Sequence, residues 1–114
     1  MHEYALVQSL FESVLQEAEN HGAKRVLSVT IQKGHLSDES DEALRFYWDE
    51  ISRQSLAEGA KLHIETVIEE IRCLECGALF PAEEEMEVCP HCAGRRLVST
   101  FGDALILKSI QLEV

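Results

Sequence analysis

Two cysteine pairs, Cys73-Leu-Glu-Cys76 and Cys89-Pro-His-Cys92, restrict what this chain can become more than any other feature. Each Cys-x-x-Cys turn brings two sulfurs within reach of one ion while nearby backbone amides point at them. Two such turns supply the four thiolates of a tetrahedral zinc site. Gly77, just behind the first pair, permits a tight turn there. The apolar side chains between the pairs, Leu79, Phe80, Met86 and Val88, are too few for an independent core. Metal binding is therefore expected to supply most of the folding free energy of this segment. A rubredoxin-like iron site uses the same ligands, and a redox dithiol is a third reading. Four protein sulfurs leave no open coordination position, which argues against hydrolytic zinc chemistry. His91, inside the second turn, reads either as an exposed side chain or as a donor to a sulfur.

The rest of the chain is large enough to fold around a core of its own. It has 114 residues, 46% hydrophobic and 27% charged, the balance of one ordinary domain with a small insert. With 21 acidic against 10 basic residues, its net charge of −11 repels phosphate backbones and anionic membranes. No apolar run has the length of a signal peptide core or a membrane span, so the cytoplasm is the expected location. Thiols stay reduced there, which favours metal ligation over disulfides.

Periodicity predicts an α+β fold, a small three-stranded sheet covered by two helices with an inserted four-cysteine, zinc-ribbon-like module. Over residues 4–19, Leu6, Val7, Leu10, Phe11, Val14, Leu15 and Ala18 recur at spacings of three and four, and Gly22 is placed to end the helix. Lys24–Lys33 alternates as a strand with Leu27, Val29 and Ile31 on one side. Ser40 or Asp38 is expected to cap a second helix reaching about Ala57, with Leu44, Tyr47, Trp48 and Ile51 on one face and Gly59 as terminator. Lys61–Arg72 reads as one long strand and Ala104–Val114 as the last. The domains expected are 1–72 plus 97–114, an α/β body, and 73–96, the metal module.

The opening residues Met1-His2-Glu3 are a second candidate metal site. The imidazole of a histidine at position 2, the α-amine and the intervening amide nitrogen form fused five- and six-membered chelate rings. Deprotonated amide nitrogens suit nickel(II) and copper(II). The amide or carboxylate of Glu3 can complete the shell, and a bulky second residue favours retention of Met1. His21, His35 and His63 read as structural or exposed, with His35 a remote accessory ligand near the second helix. Neither a catalytic constellation nor a base for any serine is assignable, so the chain does not read as an enzyme.

Met1-His2-Glu3 running into a helix, followed by Cys73-x-x-Cys76 and Cys89-Pro-x-Cys92, resembles the HypA/HybF family of nickel metallochaperones of [NiFe]-hydrogenase maturation. The resemblance covers the whole chain and includes Gly34-His-Leu-Ser37, Glu42-Ala-Leu44-Arg-Phe46 and Ala57-Glu-Gly59. It implies two metals. Nickel would be a transient cargo at Met1, His2 and Glu3, and zinc a structural ion at Cys73, Cys76, Cys89 and Cys92. It also implies a HypB-type GTPase and the hydrogenase large subunit as partners, and urease maturation proteins for some members. A histidine from a second chain, in a homodimer, is a further way to complete the nickel shell. Some members add a carboxylate from the loop before the second helix, where Ser40 stands here between Asp38 and Asp41. Others carry a histidine after the first cysteine pair, where this chain has Gly77 and Ala78. The reading opposed to all this is a zinc-ribbon adaptor or nucleic-acid-binding module without nickel, for which only Arg95-Arg96 provides basic character.

Overall fold

The computed structural model describes residues 2–99, 101 and 105–114, with the side chain of His2 left out. The chain forms two compact units, one of Met1–Lys33, Asp38–Glu65 and Leu105–Val114, the other of Gly34–Ser37 and Thr66–Ala104. Two helices, α1 (His2–Asn20) and α2 (Asp41–Ile51), strand β6 (Ile106–Glu113) and all but the last residues of strands β1 (Arg25–Gly34) and β2 (Lys61–Val67) build the first. Its sheet has the order β2-β1-β6, with β1 and β6 antiparallel. The second unit holds β3 (Glu70–Cys73), β4 (Leu79–Pro81) and β5 (Leu97–Ser99), a separate sheet of order β4-β3-β5. The expected α+β architecture with a cysteine-bearing module is what the chain adopts.

In the first unit Val7, Leu10, Val14 and Ala18, one stripe of α1, are buried together with Val26, Val29 and Ile31 of β1 and Leu44 and Trp48 of α2. The Trp48 indole N–H donates to the Ala60 carbonyl at 3.3 Å, which satisfies its polar edge inside the core. The end of α1 is set locally. Gly22 takes a left-handed φ of 62°, its N–H bonds the Glu19 carbonyl, and the Ala23 N–H bonds the Ala18 carbonyl. That pair of bonds is the Schellman closure, available to glycine without a Cβ penalty. At the start of α2 the Ser40 hydroxyl accepts from the Ala43 N–H at 3.1 Å, as an N-cap should.

Four expectations are corrected. Leu27 does not share a face with Val29 and Ile31: a bulge between Val26 and Ser28 turns Val26 inward and leaves Leu27 39% exposed. Helix α2 ends at Ile51 rather than near Ala57. The Ser55 hydroxyl donates to the Ser52 carbonyl and accepts from the Ala57 N–H, and Gln54 sits at φ 60°. These local side-chain bonds replace the helical ladder. The final strand begins at Ile106, and Ala104, its expected start, lies outside the described residues.

The fourth is the long strand from Lys61 to Arg72, which is broken between Val67 and Glu70. Glu69 turns to other partners: its N–H donates to His35 Nδ1 at 2.9 Å, and its carbonyl accepts from the Ala82 N–H at 2.8 Å, one step beyond the Glu70–Pro81 pair of β3 and β4. His35 Nε2 lies 3.0 Å from the Ala82 carbonyl. Since Nδ1 accepts from an amide, the proton of the neutral ring is on Nε2, which donates to that carbonyl. The Glu69 carboxylate accepts from the Leu36 N–H at 2.8 Å and fills the space a Cβ on Gly34 would need. His35 is thus the fastener of the second unit, with neither ring nitrogen left for a metal.

Candidate metal centre

The second unit has little apolar interior. Its buried cluster is Cys73, Phe80 and Cys89, flanked by half-buried Ile71, Ala78, Met86 and Leu97. Two of those three buried residues are cysteines of the paired turns, so the cluster is organised around sulfur. All four cysteines are free thiols. Their Sγ atoms lie within 4.8 Å of one another, with Cys73 to Cys92 at 3.6 Å and Cys76 to Cys89 at 3.7 Å. A disulfide would need about 2.05 Å. Four thiolates at about 2.3 Å from one tetrahedral ion stand about 3.8 Å apart, so the arrangement fits a closed four-sulfur site.

The two turns are built alike. The Gly77 N–H bonds the Cys73 carbonyl and the Cys73 N–H bonds the Ala78 carbonyl. In the second turn the Ala93 N–H bonds the Cys89 carbonyl and the Cys89 N–H bonds the Gly94 carbonyl. Gly77 and Ala93 hold the equivalent left-handed position, with φ of 79° and 62°. In every case the amide two residues past a cysteine serves its sulfur. Gly94 N–H donates to Cys92 Sγ and His91 N–H to Cys89 Sγ, each at 3.3 Å, while Glu75 and Ala78 serve Cys73 and Cys76. These donors stabilise thiolate over thiol. His91 therefore contributes its backbone, and its exposed ring rests 6.2 Å from that of Phe80.

Electrostatics in the metal-free site is divided. Cys73 is lowered to about 7, first by the Cys76 N–H, with the Glu75 N–H and the Cys92 and Cys76 thiols assisting against desolvation. For Cys92 the Gly94 N–H acts downward, but desolvation and the sulfurs of Cys73, Cys76 and Cys89 carry it up to about 12. Cys76 is raised likewise: the Ala78 N–H and Cys92 act downward, and desolvation, Cys89 and Cys73 outweigh them. Four sulfurs this close do not ionise together unaided, whereas a divalent cation at their centre makes all four anionic.

A clasp joins the two turns without metal. Glu75 Oε2 accepts from the Arg95 N–H at 2.8 Å, and the Leu74 N–H bonds the Arg96 carbonyl at 2.8 Å. The Glu75 carboxylate occupies the place where a Cβ on Gly94 would stand. Sequence reasoning passed over Glu75, because a carboxylate between two cysteines carries no signal of what it will reach.

The other candidate centre is described only in part. Met1 lies outside the described residues; the helix begins at His2, and Glu3 is half-buried in its first turn. Of the accessory groups near α2, the Ser40 hydroxyl is used as the cap and Asp41 Oδ1 pairs with Lys33 Nζ at 2.7 Å. Asp38 is exposed.

A profile of the family described as "Hydrogenase/urease nickel incorporation, metallochaperone, hypA" matches residues 1–112. The chain belongs to the HypA family. The hydrogenase maturation factor HybF of Salmonella typhimurium is 39% identical over 113 residues, covering 99% of this chain and all of that protein. Its namesake in Escherichia coli K12 is 36% identical over the same length, with the same coverage. Among solved structures, the solution structure of the Ni metallochaperone HypA from Helicobacter pylori superimposes with a TM-score of 0.77 at 22% identity, covering 97% of each chain. A second, titled the solution structure of HypA protein, gives 0.77 at 25% identity over 98% of this chain and 96% of that one. Among the described residues no helix is long and apolar enough to cross a membrane.

Proposed function

We propose that this HypA-family chain carries nickel(II) reversibly at Met1, His2 and Glu3 and delivers it during [NiFe]-hydrogenase maturation. Zinc(II) at Cys73, Cys76, Cys89 and Cys92 holds its second unit together. The observation that carries the reading is the match to a nickel-incorporation family over residues 1–112, joined to a four-sulfur cluster of tetrahedral dimensions. The chain acts as a carrier, not an enzyme. A HypB-type GTPase and the hydrogenase large subunit are its partners, with urease maturation proteins as a further outlet, and the cytoplasm is its place of work. Nickel belongs to the first unit and zinc to the second.

The start of α1 supports the chelate on physical grounds. The first N–H groups of a helix have no intrahelical acceptor, so the amides of His2 and Glu3 are spared from the ladder. An amide nitrogen that must deprotonate to bind nickel gives up no helical bond there. Both ring nitrogens of His35 are committed to the Glu69–Ala82 backbone, and Asp41 Oδ1 is paired with Lys33.

The test is calorimetric titration of nickel into untagged, zinc-loaded protein with a native start, beside His2→Ala and a variant extended before Met1. One tight site in the native protein, lost in both variants, is the expected result. Equal binding by all three would remove the terminal chelate and leave a zinc-ribbon adaptor.

A further inference from the structure

The outer face of α2 leaves an aromatic ring in water. Phe46 is 59% exposed, while Leu44 and Trp48 of the same helix fill the core. It does not stand alone. The Phe46 ring meets that of Tyr47 edge-on at 5.5 Å, and Tyr47 meets Tyr4 edge-on at 5.6 Å. Tyr4 is itself 40% exposed in the first turn of α1. Three rings therefore run from one helix to the other. Beside them a groove of about 320 Å3 is lined by Ser40, Glu42, Ala43, Phe46 and Tyr47.

The charged side chains around Phe46 are mostly acidic. Glu42 lies one turn before it, and Asp49 and Glu50 one turn after, all exposed. Glu50 is paired with Arg53 at 3.0 Å, but Glu42 and Asp49 have no ion pair among the described residues. The nearest cation in sequence, Arg45, donates to the Leu62 carbonyl. An apolar ring framed by unpaired carboxylates is a poor site for a neutral partner, which would desolvate them without compensation. A second copy, also of net charge −11, would bring carboxylates against carboxylates, and nucleic acid is repelled for the same reason.

We propose that the Tyr4–Tyr47–Phe46 face docks a protein segment in which a basic side chain stands next to an apolar one. The cation lies over the Phe46 ring with its head towards Glu42 or Asp49, and the apolar neighbour enters the groove beside Ala43. Because Tyr4 shares the first turn of α1 with His2 and Glu3, a segment bound here sits beside the proposed nickel ligands. That consequence rests on the nickel reading; the docking itself does not.

The experiment uses isotope-labelled, zinc-loaded full-length protein and a short helical peptide with arginine on one face and leucine on the other. Its control is the same peptide with glutamate for arginine. Saturable binding is expected, with amide shifts concentrated at Tyr4, Ala43, Phe46 and Tyr47 and no binding of the acidic peptide. Phe46→Ala, and Glu42→Lys with Asp49→Lys, should each weaken it about tenfold or more. Ile68→Ala, removing an exposed residue of the second unit, should not. Shifts scattered over the acidic surface, or Phe46→Ala behaving like Ile68→Ala, would overturn the proposal. So would concentration-dependent shifts at the same amides without peptide, since they mean self-association. Nickel titration of the wild-type protein separates the two readings: no nickel binding, with the peptide still mapped to this face, would sink the carrier function and leave the docking surface standing.

Discussion

Replacing Cys89 by alanine should unfold the second unit while the first stays folded. The magnitudes follow from what each unit buries. In the second, Phe80 is the one large apolar side chain in the interior among the described residues, and Ile71, Ala78, Met86 and Leu97 are half-buried. At 1.5–3 kcal/mol for a fully buried side chain, and half that for a partly buried one, these sum to about 6 kcal/mol. A structural four-sulfur zinc site contributes about 10–16 kcal/mol of folding free energy, so the metal outweighs the apolar side chains. Losing a ligand that is only 2% exposed removes the metal's contribution and opens a cavity as well. The buried core of the first unit, from Val7 to Leu62, contains no cysteine and should be indifferent. Hydrogen–deuterium exchange reads the two units separately. In the variant, and in wild type stripped by a chelator, the amides of Ile71, Cys73 and Leu97 should exchange at the rate of open chain, while those of Val14, Val29 and Trp48 remain protected. Persistent protection of β3 and β5 without metal would refute the reasoning, because hydrogen bonding and Phe80 would then suffice.

Three further outcomes are expected. Glu75→Ala should speed zinc transfer to a chelator about tenfold, whereas Glu75→Gln, whose amide oxygen can still accept from the Arg95 N–H, should stay near wild type; equal rates would mean that the clasp does not pre-form the site. Ala93→Gly should stabilise the zinc-loaded second unit by about 1 kcal/mol in chemical denaturation, since alanine there holds a left-handed φ of 62°, and a destabilised variant would count against that assignment. Zinc binding near pH 8 should release at least two protons, read from calorimetry in buffers of different ionisation enthalpy, because Cys76 and Cys92 are both raised in the metal-free site. The metal-free form holds more protons, so affinity falls as pH falls; binding without proton release would show that the thiols were already ionised.

Legibility followed distance along the chain. The end of α1 at Gly22 and the Ser40 cap were readable because their hydrogen bonds join residues within five positions of each other. The four-cysteine cluster was readable although its halves lie far apart, because ligand spacing within each turn is itself local. Where a local competitor was missed, the reading failed. Serine hydroxyls at positions 52 and 55 stopped α2 early, and a bulge at Leu27 exchanged the two faces of β1.

What the amino-acid order determined by itself was the module of paired cysteines, the amphipathic stripe of α1, the acidic character and the family to which they point. Only the tertiary structure decided what the uncommitted polar side chains do. His35 read as a loop histidine, yet it spans 34 residues to the Glu69 amide and 47 to the Ala82 carbonyl. Those bonds break the long strand and take the ring out of metal chemistry. Glu75 reaches 20 residues ahead to the Arg95 N–H, and Phe46, apolar on a helix, was left outside. The physical reason is common to all three. Periodicity and ligand spacing are properties of one segment, whereas an isolated donor or acceptor takes its role from whichever distant backbone the fold brings within about 3 Å of it, and an isolated ring from whether the fold lays anything over it.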